Sequence, residues 1–444
     1  SIGYYEATKQ KNDVIVFAAI AGAVVALQVL PPKLNPIIRS IMNSIKSEEN
    51  IELQQRSAAT LASLVDLCSL EDSSVRVNPN DKIVKNLCTF LCSDSTTTPE
   101  LQSNRMKEGI LSLQKAKEPD KSSFNGDSLN DEEKVKSQKL IRRGAETALR
   151  QFATQFGPRL FNVVPKLWVC MHSSLNIVFD HDEKEKIDST LKSNASLGQD
   201  VIDTLQILQS LVPVIHESLH PKVTELLPHI IKAIQCQYLV IRSMTARCFA
   251  TIANVITVPC MQIIIDQVLP LLGDSQNVIH RQGAAELIYH VVQSMDAKIL
   301  PYVIFLIVPI LGRMSDVDEH VRLVSTNCFA MLIKLVPLEA GIPDPPGLSE
   351  ELLKHRDDER KFLSQLLDSN KLDQFEIPVT IKAELRKYQQ EGVNWLAFLN
   401  KYQLHDMGLG KTLQSICILA SDNHLRAVKY NATKSPDSVH CPSL

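Results

Sequence analysis

Three stretches decide the fold: VIRSMTARCFATIANVI (240–256), VIHRQGAAELIYHVVQSM (278–295) and HVRLVSTNCFAMLIKLV (320–336). Each carries an arginine near its start, Arg242, Arg281 and Arg322, spaced 39 and 41 residues apart. Each then runs through small and apolar residues at helical spacing. A second marker precedes each stretch, an apolar helix-like run broken by Pro228, Pro270 or Pro309, spaced 42 and 39 residues apart. Two markers at one period and in one order predict a repeated two-helix unit of about 40 residues, the period of HEAT and armadillo arrays. Such a hairpin is apolar on faces it cannot cover alone, so neighbours stack into one continuous core. The arginines read as a polar ladder between repeats, with Asp274 or Asp316 in the preceding turns as partners.

Outward from there the same grammar continues towards the N-terminus. PPKLNPIIRSIMNSIKSEENIELQQRSAATLASLVDLC (31–68) reads as a complete unit, and NPNDKIVKNLCTFLC (78–92) opens another whose second helix is KLIRRGAETALRQFATQF (139–156). RLFNVVPKLWVCM and DVIDTLQILQSLVPVIHESL make a further pair, for about seven units in all. Two interruptions read as loops, a Ser-, Asp- and Lys-rich insert at about 94–135, expected to be disordered, and a polar loop at about 179–199. The solenoid is therefore expected over 1–340. GIPDPPG (341–347), with three prolines in seven residues, marks the domain boundary. After it, 341–380 reads as a linker carrying a charged helix, with Leu352, Leu353, Phe362, Leu363, Leu366 and Leu367 as a docking stripe.

Composition agrees with an all-helical reading. Aromatics are 5% of 444 residues, which suits helices of Leu, Ile, Val and Ala better than β-rich folds. A net charge of −3 argues against a global basic field for nucleic acid. The 10 cysteines show no paired framework, which points to a reducing compartment. Cys88 and Cys92 are read as core packing rather than metal ligands. Val14 to Leu30 is apolar enough to imitate a membrane span but is read as a helix sandwiched between neighbours, with no membrane role. A first residue other than Met suggests a segment of a longer product.

Two motifs suggest chemistry. His216-Glu217-Ser-Leu-His220 matches the zinc-protease pattern, but Pro221 stops the helix directly after it and no third ligand follows. It is read as coincidence. The second is MGLGKT, Met407 to Thr412, the form of a phosphate loop. There a glycine turn turns backbone N–H groups towards phosphates, Lys411 neutralises β/γ charge and Thr412 holds Mg²⁺.

LRKYQQEGVNWL (385–396) followed by DMGLGKTLQ (406–414) resembles the opening of the SWI/SNF-type remodelling ATPases, helicase-like DNA translocases. That resemblance implies an ATP-binding RecA-like α/β lobe beginning at 381–422. Gln389 would help read adenine, Met407, Gly408, Leu409, Gly410, Lys411 and Thr412 would grip the phosphates, and Thr412 would hold Mg²⁺ through ATP. A HEAT array leading into this motif is similar to the branch of the family that acts on TATA-binding protein. It implies that protein and promoter DNA as partners and a place in the nucleus. The chain departs from the pattern in two ways. Only KYQLHD (401–406) separates the helix from Met407, which leaves no room for a buried strand, and no Asp-Glu-x-His motif follows the loop. Weak or absent ATP binding and no turnover by the chain alone are therefore expected, with a disordered tail at 423–444. The alternative is a HEAT adaptor of the nuclear-import or phosphatase-scaffold kind without nucleotide function.

Overall fold

The computed structural model describes residues 2–70, 78–101, 128–180, 184–339, 342–343, 350–382, 384–401 and 412–433. The chain forms two compact units, Ser1–Gly347 and Leu348–Leu444. Among the described residues every regular element is helical and no strand occurs.

The first unit opens with α1 (Ile2–Ala26) and continues as six helical hairpins. They pair α2 (Asn35–Ser47) with α3 (Ile51–Leu70), and α4 (Asn80–Leu91) with α5 (Ser128–Phe156). α6 (Pro165–Phe179) pairs with α8 (Ala195–Leu211) across α7 (Lys184–Ser193), and α9 (Leu227–Ala233) with α10 (Leu239–Val255). α11 (Thr257–Ile263), continued by a π turn and a short helix to Gly273, pairs with α12 (Val278–Met295), and α13 (Val303–Arg313) with α14 (Glu319–Leu332). The second helices α3, α5, α8, α10, α12 and α14 each pack on the next. This is the α-solenoid that the period demands, and its core is a stripe of Leu61, Leu64, Phe152, Phe249, Leu287 and their neighbours, all under 1% exposed.

The sequence marks the two kinds of helix differently. First helices α2, α6 and α9 carry proline in the opening positions, where the missing N–H has no partner to lose. Four of the second helices, α3, α8, α12 and α14, begin at a short polar cap. Asn50 accepts from Glu52 N–H at 2.9 Å, Asn194 from Leu197, Asn277 from Ile279, and Asp318 from Val321. Each such cap is worth about 1 kcal/mol and fixes where the hairpin turns.

Four expectations are corrected. The polar stretch 179–199 is largely helical, because Ile187 and Leu191 put one apolar face of α7 into the core and Asn194 caps α8. The insert expected at 94–135 yields helix from Ser128 onward, and 94–101 is an ordered turn in which Asp94 accepts from the Thr96 amide and hydroxyl. Residues 102–127 lie outside the described residues. α1 is not sandwiched. It packs on α2 and α3 through Ala21 and Val25, while Val16, Phe17 and Ile20 are more than half exposed. The described part of the tail, to Thr433, is helical, extended from the apolar run after Thr412 and supported by an Asp422–Arg426 pair at 2.8 Å; residues 434–444 lie outside the described residues.

Val278–Arg313 and Glu319–Leu338 are long and apolar enough to cross a membrane by composition alone. Both are stacked hairpin segments, and the first buries Arg281 and Glu286 within the repeat core.

The second unit contains α15 (Glu350–Leu367), α16 (Lys387–Lys401) and α17 (Thr412–Thr433). Of the expected docking stripe on α15, Phe362 and Leu363 are buried within the unit and Leu367 is exposed, while the side chains of Leu352 and Leu353 are not among those described. The described parts of 381–422 are therefore helices α16 and α17, and the α/β lobe is not seen in them.

Candidate functional site

The phosphate-loop segment is framed by α16 and α17. Met407, Gly408, Leu409, Gly410 and Lys411 lie outside the described residues; Thr412 opens α17, and its side chain is not among those described. The flanks are defined. Gln389 Oε1 accepts from the Arg386 N–H at 2.9 Å, so this amide caps its own helix. Reading an adenine edge would require it to leave the cap. The connector before α16 is pinned by Asn394, which accepts from Phe375 N–H at 3.0 Å, and by Gln390, which donates to the Phe375 carbonyl at 3.0 Å.

Sequence reasoning missed Gln414. It is 1% exposed, donates from Nε2 to the Tyr388 carbonyl at 3.4 Å and keeps Oε1 without a partner. Gly392 makes this possible, since a Cβ there would fall within 3 Å of the Gln414 amide. α16 and α17, the helices on either side of the loop segment, are thus locked at one glycine–glutamine contact.

In the first unit the predicted ladder has a consistent geometry. Arg242 Nη1 donates to the Cys236 and Gln237 carbonyls, Arg281 Nη1 to those of Asp274 and Ser275, and Arg322 Nη1 to those of Asp316 and Val317. Each arginine therefore ties down the turn that leads into its own helix. Arg242 and Arg281 also reach the next repeat. Arg281 pairs with Asp316, and Arg242 Nη2 donates to Gln282 Oε1 at 3.0 Å, whose amide donates on to Asp318. Of the two aspartates expected as partners, Asp316 forms the pair, while the Asp274 carboxylate instead meets His280 at 2.9 Å.

Beside the ladder sits a buried polar cluster from α10, α12 and α14. Burial pushes the Glu286 carboxyl up to about 7 despite the help of Ser243, Arg242 and Arg247. Ser243 faces it without a well-aligned hydrogen bond, and both Glu286 oxygens lack a partner by geometry. Burial, with Arg247 adding to it, brings His290 down to about 4, and burial also lowers His320. All three side chains are held in a repeat interface, where burial disfavours the charged form of each.

The second helices also present an open groove of about 650 Å³ between α3 and α5, lined by Glu52, Arg56, Thr147, Arg150 and Gln151 among others. It is polar and shallow, suited to a protein surface rather than to a small molecule. His216 and His220 do not share a helix face. His216 caps a 3₁₀ turn at Glu217–Leu219 through Ser218, and a new helix starts at His220. The expectation that Pro221 stops a helix directly after the motif is corrected: it lies in the opening positions of the helix that starts at His220, and His216 stands at an N-terminal cap.

A family model described as "Stalled ribosome sensor GCN1-like, HEAT repeats" matches residues 202–378, and one described as "Domain of unknown function (DUF3535)" matches residues 1–170. The chain is 50% identical over 447 residues to the TATA-binding protein-associated factor mot1 of Aspergillus fumigatus, covering 98% of this chain. It is 43% identical over 438 residues to TATA-binding protein-associated factor MOT1 of Saccharomyces cerevisiae, covering 97% of it. The chain is a homologue of one segment of the TATA-binding protein-associated factors. It spans 23% of the length of either relative. A shorter match, 34% identical over 88 residues, relates 18% of the chain to 5% of Helicase SWR1 of Debaryomyces hansenii. The ladder, the hairpin stack and the α16–α17 lock thus occur in a chain similar to one segment of those factors.

Proposed function

We propose that this chain is the scaffold stretch of an ATP-dependent, DNA-translocating transcription regulator that binds TATA-binding protein and removes it from promoter DNA in the nucleus. The observation that carries the reading is homology over 98% of the chain to factors named for that association, on a HEAT array. The stacked second helices supply a protein-binding face, and the ladder holds successive repeats in fixed register. Promoter DNA is engaged through the ATPase region of the whole protein.

ATP and Mg²⁺ belong to this reading through Met407, Gly408, Leu409, Gly410, Lys411 and Thr412, with Gln389 at the purine. The group would supply the hydrolysis energy for translocation. The residues of this chain fit it only in part, because Gln389 is engaged as a cap and five residues separate the α16 end from Met407. Weak or absent ATP binding and no turnover are expected of the chain alone.

Residues 1–378 are to be exchanged for the matching stretch of the S. cerevisiae relative, with ATP-driven loss of TATA-binding protein from promoter DNA followed by gel shift. Retained release supports the scaffold role. A folded chimera that hydrolyses ATP but leaves the complex intact sinks it. Calorimetry of the full chain with Mg-ATP, beside Lys411→Ala, tests the nucleotide part. Binding lost on substitution would give the loop a working fold, and no heat in either leaves the scaffold alone.

A further inference from the structure

α1 and α2 pack side by side, and an open groove of about 790 Å³ lies between them. Lys11 pairs with Glu49 at 3.0 Å just past the end of α2, so the two helices run antiparallel. The walls of the groove differ in chemistry. Gln10, Val14 and Phe17 line it from α1 at i, i+4 and i+7, and Arg39, Asn43 and Lys46 line it from α2 at the same spacing. The α1 wall is apolar from Val14 onward, with Phe17 55% exposed. The α2 wall is cationic, and α2 contains no Asp or Glu.

The glutamates that follow α2 are engaged elsewhere. Glu48 accepts from the Asn50 amide at 2.9 Å, and Glu49 is taken by Lys11. Lys46 lies 4.9 Å from the centre of the Phe90 ring of α4, a contact that holds the ammonium in place without neutralising it. Ser40 and Ser47, also in this wall, donate to the Pro36 and Asn43 carbonyls of their own helix, which leaves the two cations and Asn43 to meet a partner. Asp13, on the opposite wall, is the one carboxylate in the groove. The positive character continues past the groove. α4 adds Lys82 and Lys85 against Asp81, and α6 adds Lys166 with no acid, in a chain whose net charge is −3.

We propose that this groove seats an acidic amphipathic α-helix of a partner protein. Apolar residues at i, i+4 and i+7 of that helix cover Val14 and Phe17, and Asp or Glu on the flank towards α2 meets Arg39 and Lys46. The spacing selects a helix. Each wall repeats once per turn over about 10 Å, the rise of seven helical residues, and helix-in-groove recognition reads those positions. An extended segment crosses the same distance in about three residues and turns alternate side chains away. The charge selects an acidic helix, since a neutral or basic one leaves the α2 cations without a counter-charge. α1 itself, with Lys9 and Lys11 balancing Glu6 and Asp13, lacks that excess of negative charge, which disfavours a second copy of this chain as the occupant. A single helix covers less than a standard interface, so the contact is reversible and salt-sensitive.

The test uses the full chain and a fluorescein-labelled helical peptide of about 18 residues, with Leu or Phe at i, i+4, i+7 and i+11 and Glu along one flank. Fluorescence anisotropy is expected to show saturable binding that weakens several-fold when salt is raised from about 50 to about 300 mM. Replacing the Glu flank by Lys, or combining Arg39→Glu with Lys46→Glu in the chain, should weaken it by about tenfold or more. Phe17→Asp should abolish it, with thermal melts checking that each variant is folded. No binding, equal binding of the Lys peptide, or full affinity in a folded variant overturns the proposal. So does a dimer in sedimentation velocity that Phe17→Asp dissociates, which would make a second copy the occupant. In the chimera with the S. cerevisiae relative, Phe17→Cys is expected to be alkylated freely and protected by the peptide. Protection without peptide would mean that the rest of that protein covers the groove, and overturns the proposal as well.

Discussion

Arg281 meets Asp316 side-on across a repeat boundary, Nε to Oδ2 at 2.9 Å and Nη2 to Oδ1 at 3.1 Å, with both residues under 9% exposed. The same guanidinium holds the Asp274 and Ser275 carbonyls, so one side chain fixes both the entry to its own helix and the position of the next hairpin. Arg281→Ala leaves a buried carboxylate with the Asp318 amide at 2.9 Å and, as its one remaining cation, the part-exposed Arg313 at 3.4 Å. A loss of about 3 kcal/mol is expected, as for other buried pairs broken on one side. Urea denaturation measures it, and a change within the surface range would show that the pair is incidental.

The same pair sets an acid limit. Burial alone would raise Asp316, but the Arg281 hydrogen bonds, the Asp318 amide and the charges of Arg281 and Arg313 outweigh it and hold the carboxyl below its ordinary value. Its stabilisation is therefore full above the unfolded carboxylate range and is lost as pH falls through the depressed folded value. The stability gap between the unsubstituted chain and Asp316→Asn should narrow from pH 6 towards pH 3. A gap that is flat in pH would remove the linkage.

Gly283 follows the ladder closely on α12 and sits against the Ile234 carbonyl at the end of the previous repeat's first helix. A Cβ there would meet backbone, which cannot rotate away. Gly144 stands in the same relation to the Ile45 carbonyl two hairpins from the N-terminal end. Gly283→Ala should destabilise by about 2 kcal/mol through overpacking, against the gain expected from helix propensity alone. Thermal melts decide the sign, and a stabilised variant would mean that the hairpins can part without cost.

The solenoid was legible because its determinants are local and periodic: Arg242, Arg281 and Arg322, the prolines of the first helices, and small residues such as Gly283 at the crossing points. What escaped were features whose partners lie far along the chain. α7 looks polar because only Ile187 and Leu191 face inward, and α1 looks buried because its apolar residues run all the way round, yet packing comes from one side only. Gln414 carries no motif, and its lock on Gly392 depends on two helices meeting.

Glu286 gives the repeat core a pH dependence of the opposite sign to Asp316. Burial raises it to about 7 from an ordinary 4.5, so between those values the folded chain keeps a proton that the unfolded chain has released. Its stabilisation is full below about 4.5 and is lost as pH rises through about 7. Glu286→Gln should match the unsubstituted chain at pH 4.5 and exceed it by on the order of 2–3 kcal/mol at pH 8. His290, lowered to about 4 by burial, loses stability as pH falls from 6.5, but it is common to both proteins and cancels in the difference. A variant no better at pH 8 would mean that the carboxyl is solvated.

In the second unit, Phe362 of α15 stacks on Phe398 of α16 at 5.3 Å and 11°, and Phe398 stacks in turn on Trp395 at 5.5 Å and 22°. Phe362 is fully buried and is among the largest side chains that are so. Three helices with few other large core residues depend on this ring stack, so Phe362→Ala should cost about 3 kcal/mol, near the lower end for buried Phe truncation. A small unit with a thin margin would then open locally while the solenoid stays folded. Hydrogen exchange is expected to show α15 and α16 amides losing protection by about a hundredfold or more, with α10 and α12 unchanged. Phe362→Leu, which keeps most of the volume, should restore most of the protection. Equal loss in both units would mean that they unfold as one body, and that the ring stack does not define a separate cooperative unit.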